Sequence, residues 1–313
     1  MKGIFLNRHD ELRPGWKILA FVLLAATFVM AFTWPLRWFD SWLEEAGFAR
    51  LPGLIGPVFA LIGTLLASFI VTRWLNRKPF AAVGLWLHAR AMKECAWGIL
   101  LGFLMMASVF LVLFVSGFIQ VDSFILEPTD ALGIILSSMI MFAASAMLEE
   151  VVFRGYPFQT LIQGVSLLPA VVLMAALFSV SHLTNPNTST FGIINIGLAA
   201  IWLSFAYLKT KGLWLPFGLH FGWNFSQTTI FSFPTSGIEF AEFKLFGTVV
   251  TGPEWLTGGA FGPEGGALAT VAVVSCTFYV LKAKHFEPVP GIVTLDSIED
   301  LSLPPIAVQE RLP

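Results

Sequence analysis

The chain has 313 residues, of which 56% are hydrophobic and only 12% are charged, and its mean hydropathy is +0.78. A soluble domain is roughly half apolar and roughly a quarter charged, so this composition excludes a water-soluble globule and favours a polytopic membrane protein. The formal net charge of −2 gives no basic surface for nucleic acid. The two cysteines, Cys95 and Cys276, both lie in apolar runs, so neither a disulfide framework nor a CxxC metal site is expected.

Apolar runs predict the transmembrane segments, since a spanning helix needs about 20 mainly apolar residues. We predict an all-α bundle of eight spans, at about 16–36, 53–75, 95–118, 131–150, 166–182, 190–208, 213–232 and 266–281. The first run follows several basic residues, as a signal peptide would. No A-x-A-like cleavage site follows it, however, and its apolar core is too long, so we interpret it as a retained helix.

The basic residues are distributed unevenly between alternate loops. With the N-terminus inside, the 18 lysines and arginines all fall in inner segments except Arg37, Arg50 and Lys244. Cytoplasmic loops carry an excess of lysine and arginine, so this bias predicts that both termini are cytosolic. We expect the plasma membrane as the location and membrane lipid as a partner.

The chain is expected to form one transmembrane domain, residues 1–285, followed by a tail. The long connection (residues 233–265) is acidic and rich in glycine, and nothing in it resembles a catalytic motif. The tail, residues 286–313, contains several prolines and few large apolar side chains, so we predict a disordered cytosolic segment.

Two glutamates and an arginine stand at the end of the fourth apolar run, in AMLEEVVFRG. Glu150 and Arg154 are four residues apart and share one helix face, so they can form a charge-assisted pair. Glu149 lies about 100° around the helix and is not forced into that pair. One carboxylate can therefore be neutralised while the other stays free to act as a general base. The plainer alternative is an ordinary ion pair at a helix end.

Two further pairs of polar or aromatic side chains repeat the spacing of four. In FSVSH, Phe178 can pack against His182 and hold the imidazole in place. In HFGWN, His220 and Asn224 share one face of an apolar segment and need partners from other helices. They either tie the bundle together by hydrogen bonds or act as donors aimed at a developing oxyanion.

The spacing of the first two motifs predicts that Glu149 and His182 lie at the same depth in the helix bundle. If the chain turns near 164–166, Glu149 and His182 each lie roughly 25 Å along their helices from that turn. The basic loops, however, place His220 in the inner half and His182 near the outer face. Either the fourth and fifth helices project beyond the inner surface, or the polar LTNPNTST stretch after His182 lines a wet cavity.

These motifs, EEVVFR, FSVSH and HFGWN, resemble the EExxxR, FxxxH and HxxxN motifs of the CPBP family of intramembrane proteases. That family includes the CAAX prenyl endopeptidases and the bacterial Abi proteins linked to bacteriocin processing or self-immunity. The resemblance covers residues 131–232 and implies hydrolysis of a peptide bond in a peptide or membrane-anchored protein.

By position, the resemblance implies that Glu149 and His182 activate water and that His220 and Asn224 stabilise the oxyanion. Glu150, Arg154 and Phe178 would support the site. No cofactor is required by this interpretation. If zinc is bound, its ligands would be Glu149, His182 and His220. The alternatives are a non-catalytic immunity or scaffold protein with the same fold, or a transporter that uses the charged groups as an ion path.

Overall fold

The structure, a computed structural model, describes residues 2–7, 10–47, 53–124 and 128–296. The longer helices within these ranges are α1 (Pro14–Glu45), α2 (Ile55–Trp74), α3 (Ala91–Val115), α4 (Pro128–Glu150), α5 (Tyr156–Val165), α6 (Leu167–Ser181), α7 (Thr190–Thr210), α8 (Trp214–Phe225) and α9 (Ala267–Lys282). Two strands, β1 (Ile119–Phe124) and β2 (Phe246–Val250), pair antiparallel, with Ile119 opposite Val250.

Each of the eight predicted spans corresponds to a helix. Among the described residues, five helical runs are long and apolar enough to cross a membrane: α1, α2, α3, the continuous run Asp130–Val165 and α7. α6 and α9 are apolar but shorter, and α8 has 12 residues before it continues as a π-helical turn, Ser226–Ile230. The chain is therefore an all-α polytopic membrane protein, as its composition predicts.

α4 and α5 form one unusually long helical run. A π-helical turn, Val151–Gly155, joins them, and the run Asp130–Val165 has 36 residues. At about 1.5 Å per residue it is about 54 Å long, which exceeds the bilayer core of about 30 Å. The run is therefore long enough to project beyond the membrane, which is one of the two arrangements that the sequence leaves open.

The turn between α5 and α6 is at Ser166, which has a φ of 72°. Glu149 lies about 24 Å along the helix before this turn, and His182 lies about 23 Å after it. The two residues are thus about equally far from the turn along their helices, and both line one cavity.

Helices α3 and α8 pack with almost no side chain between them. Gly98 and Gly102 on α3 face Gly218 and Gly222 on α8. Each of the four glycines lies against the backbone of the other helix. A Cβ built on Gly102 would stand 2.5 Å from the carbonyl oxygen of Leu219. Small residues allow this close approach between helices in a membrane. Since His220 lies between the two α8 glycines, this packing fixes the direction of its side chain.

The start of the predicted tail packs against the bundle instead of leaving it. Leu295 is fully buried, and the Asp296 carboxylate pairs with Lys211 Nζ at 2.6 Å. Backbone carbonyls of the tail accept hydrogen bonds from Trp86 and Lys78 at 2.7 and 2.9 Å. Residues 286–296 are thus structured where the sequence predicts disorder, because scattered polar groups of the bundle satisfy their backbone. The remaining predicted disorder lies outside the described residues.

The glycine packing generates a stability prediction. Replacing Gly102 with Ala should lower the free energy of unfolding by about 1–3 kcal/mol, because the new methyl group overlaps the α8 backbone. Gly133→Ala on α4 is the matched control, since a Cβ there meets nothing within 4 Å. That variant should be neutral or gain about 0.5–1 kcal/mol. Denaturant unfolding in detergent measures both, and equal losses in the two variants would contradict this account.

Candidate active site

A buried ion pair stands at the junction of α4 and the π-helical turn. Arg154 Nη1 donates to Glu150 Oε1 at 3.0 Å, and both side chains are at most 1% exposed. Arg154 Nη2 donates to the backbone carbonyl of Ala200 on α7 at 3.0 Å. The guanidinium also lies 4.9 Å from the centre of the Phe178 ring. The pair uses one carboxylate oxygen, because Arg154 Nε and Glu150 Oε2 have no hydrogen-bond partner among the described residues.

The same carboxylate holds His220. His220 Nδ1 lies 2.8 Å from Glu150 Oε1, so this oxygen accepts from both the arginine and the imidazole. His220 Nε2 lies 3.7 Å from Glu149 Oε2. Because both ring nitrogens face carboxylate oxygens, the geometry suits an imidazolium, whose two N–H groups both donate. Such a cation would also balance the charges of two carboxylates and one guanidinium.

Glu149 differs from its neighbour in exposure and in bonding. Its side chain is 32% exposed, whereas that of Glu150 is fully buried. Its Oε2 atom is buried and accepts no hydrogen bond from the described residues. Glu149 is therefore the carboxylate that is available to a molecule in the cavity.

His182 is held in one orientation at the end of α6. Its Nδ1 lies 2.8 Å from the carbonyl oxygen of Phe178, and the two rings are centred 4.8 Å apart. A carbonyl can only accept, so this contact assigns the proton to Nδ1 and leaves the Nε2 lone pair free to accept. Ser181 Oγ is a second neighbour of Nδ1, at 3.2 Å.

One cavity of about 620 Å³ brings the predicted residues together. Glu149, His182, His220 and Asn224 all line it, and Phe178 forms part of its wall. Most of the lining is apolar, so a polar group in the cavity meets few competing partners. Charged and amide groups stabilise a developing charge more strongly in such a poorly solvated site than in water.

The cavity also contains polar residues that the sequence analysis missed. Glu264 and Ser236 reach it from the long connection, and Asn195 reaches it from α7. Asn185 also lines it and belongs to the LTNPNTST stretch, which the sequence analysis gives as one alternative lining of a wet cavity. The only sequence signal for Glu264 is an acidic residue among glycines, GPEGG, which is no recognisable motif. Burial raises the pKa of the Glu264 carboxyl, although hydrogen bonds from Ser236 act in the opposite direction.

The arrangement of Glu149, His182 and His220 bears on the zinc that the sequence leaves open as an alternative. Within the described ranges, no three His, Cys, Asp or Glu side chains come close enough to hold a metal ion together. His182 and His220, expected as ligands if zinc is bound, engage their Nδ1 atoms with a backbone carbonyl and with Glu150, which leaves Nε2 as the ring nitrogen that a metal could use. A catalytic zinc needs three protein ligands converging on one point.

The buried pair generates the second prediction. Arg154→Met should lower the free energy of unfolding by about 3–5 kcal/mol, because it leaves Glu150 buried without its guanidinium. Arg73→Met is the matched control, since Arg73 ends α2 and is exposed. Adding Glu150→Gln to Arg154→Met should recover part of the loss. Denaturant unfolding of the variants measures this, and an equal effect of the two arginine substitutions would contradict the prediction.

Comparison with known proteins agrees with this geometry. Residues 131–226 match the family model described as type II CAAX prenyl endopeptidase Rce1-like. Every candidate residue from Glu149 to Asn224 falls inside the matched segment. Searches of the curated proteins and of the solved structures found no match. Residues 131–226 are therefore similar to the Rce1-like domain of the CPBP/CAAX protease family, a family of membrane endopeptidases.

Proposed function

We propose that the chain hydrolyses a peptide bond of a membrane-associated peptide or protein, by a glutamate- and histidine-assisted attack of water. The observation that carries the proposal is the gathering of Glu149, His182, His220 and Asn224 around one largely apolar cavity. These groups come from three helical segments and have different hydrogen-bonding states. A scaffold protein has no need of a buried carboxylate oxygen that accepts no hydrogen bond and stands beside an imidazole.

In the proposed reaction, a water molecule lies between Glu149 and His182. The carboxylate of Glu149 takes a proton from the water, and the Nε2 lone pair of His182 accepts its other hydrogen and orients it. The water oxygen then forms a bond to the carbonyl carbon of the substrate, and the carbonyl oxygen becomes an oxyanion. His182 has Nε2 free for this role because Nδ1 is engaged by the Phe178 carbonyl.

His220 and Asn224 would stabilise the oxyanion. They lie four residues apart on one face of α8 and line the same cavity. His220 is an effective donor because Glu150 holds its Nδ1 and favours the protonated ring. When the C–N bond breaks, the proton on Glu149 passes to the leaving amine, which completes the hydrolysis. Loss of one such oxyanion donor typically costs about 10²–10³ in kcat.

Access from the membrane is consistent with a membrane-anchored substrate. Residues of α1 and α2, including Val29 and Ala60, line the cavity together with Glu149. The same residues border an adjoining groove along α1 and α2. We further propose that both termini lie on the cytosolic side, since the distribution of basic residues favours this orientation.

Substitution of the proposed base tests the function. Glu149→Gln should lower cleavage by about 10²–10⁴-fold, because the amide cannot take a proton from water. Profiling of peptide termini in cells that express wild type or the variant identifies the substrate. Glu45→Gln, an exposed acid at the end of α1, is the control and should cleave normally.

The same profiling separates the alternatives. A cleavage site that is lost in Glu149→Gln and kept in Glu45→Gln supports the hydrolase. If the termini are identical in all three strains, the protein is not a hydrolase under those conditions and the scaffold function is favoured. Proton-coupled flux in liposomes that persists in Glu149→Gln would favour a transporter.

Chelation tests the role of metal. Activity should survive removal of metal ions and assay in chelator, because the side chains in the cavity do not converge as zinc ligands. The measurement is the cleavage rate of the peptide found by profiling, before and after dialysis against chelator. Loss of activity that added zinc restores would overturn the water mechanism assisted by Glu149 and His182 alone.

A further inference from the structure

A buried carboxylate outside the family segment lies beside the proposed catalytic groups. Glu264, near the end of the long connection, is only 8% exposed and lines the same cavity as His182 and Asn224. It lies beyond residue 226, where the family match ends. A buried carboxylate is costly unless it is well bonded, so the fixed position of Glu264 needs a reason.

Three donors from two parts of the chain hold this carboxylate. Trp223 Nε1 on α8 donates to Oε1 at 3.3 Å. Ser236 donates its hydroxyl to Oε2 at 2.8 Å, and its backbone N–H donates to the same oxygen. The indole and backbone N–H groups can only donate, so both carboxylate oxygens act as acceptors. The carboxylate therefore clamps the beginning of the long connection onto α8.

The clamp extends to the elements on either side of the cavity. Ser236 also accepts, at its carbonyl oxygen, a hydrogen bond of 2.8 Å from Asn185, three residues after His182. Asn195 on α7 donates to the backbone carbonyl of Glu264 at 2.8 Å. A continuous series of hydrogen bonds thus runs from Trp223, the neighbour of Asn224, to the segment that follows His182.

The electrostatic position of Glu264 agrees with this arrangement. The hydrogen bonds come from groups on α8 and the long connection, and no lysine or arginine forms an ion pair with Glu264 in the described part of the chain. The carboxylate therefore acts on the site through the hydrogen-bond donors of Trp223 and Ser236.

We propose that Glu264 is a positioning residue of the peptidase: through Trp223 and Ser236 it holds the long connection closed over the cavity and fixes Asn224 relative to His182. This inference rests on the proposed function, because the groups that it positions are the proposed oxyanion donor and the proposed water-orienting imidazole. Glu264 itself does not contact the reacting atoms. A displacement of about 1 Å at such groups is enough to cost up to about a hundredfold in rate.

The first test measures whether the long connection stays closed over the cavity, and it needs no substrate. Hydrogen–deuterium exchange of the full chain in detergent is compared for wild type, Glu264→Gln and Glu254→Gln. Glu254 is an exposed acid of the same connection and is the matched control. Exchange in residues 234–240 and 258–266 should rise about tenfold in Glu264→Gln and stay at the wild-type value in Glu254→Gln. Unchanged exchange in Glu264→Gln would overturn the proposal.

The second test separates positioning from simple packing. On the peptide identified by profiling, Glu264→Gln should lower kcat roughly tenfold to a hundredfold and leave KM nearly unchanged. Trp223→Phe, which removes only the indole N–H, should show a similar but smaller effect. Adding it to Glu264→Gln should cause little further loss, because both substitutions break the same link. A rise in KM alone, an unchanged kcat or fully additive losses would each overturn positioning.

The two experiments keep the inference distinct from the proposed function. If Glu149→Gln leaves every peptide terminus unchanged, the peptidase proposal fails, whereas the exchange experiment still reports whether Glu264 closes the connection. If Glu264→Gln does not fold, Trp223→Phe and Ser236→Ala each remove one donor and serve in both experiments. Normal exchange and normal kcat in those two variants would also overturn the proposal.

Discussion

The site depends on one buried carboxylate oxygen, Oε1 of Glu150, which is bonded to Arg154 at 3.0 Å and to His220 at 2.8 Å. A charge with no solvent exposure is tolerated only when its partners are in place. α4, the π-helical turn, α8 and the Ala200 carbonyl of α7 must therefore assemble together. The arginine serves this assembly, because it neutralises one acid and also fastens α7 to the site.

Two adjacent glutamates acquire different chemistry because they face different surroundings. The helix turns about 100° between Glu149 and Glu150, which directs one side chain into the cavity and the other into the ion pair. Groups whose environments differ in this way can take different roles in one reaction. The same separation explains the two imidazoles: His220 is bonded to a carboxylate, whereas His182 is bonded to a carbonyl and keeps a free lone pair.

Local spacing predicted what lies within one helix or across one turn. The Glu150–Arg154 pair, the packing of Phe178 on His182 and the matched depth of Glu149 and His182 all follow from helical periodicity. Contacts between distant segments carry no such signal. The bond from His220 to Glu150 joins residues 70 apart, and Glu264 reaches the cavity from a glycine-rich connection. The buried Leu295 also depends on pockets formed by other segments, so tail composition alone predicted disorder.

The cavity is built from two parts that differ in rigidity. α3 and α8 are locked by glycines whose replacement would drive a side chain into backbone, so the position of His220 tolerates little change. Another part of the wall comes from the long connection and is held by hydrogen bonds of Ser236, Asn185 and Glu264. A single substitution can remove each of these bonds. His220 and Asn224 therefore lie on the constrained part, inside the family segment. The long connection lies outside that segment, yet in the proposed positioning role its hydrogen bonds to Asn185 and Trp223 still act on the catalytic groups.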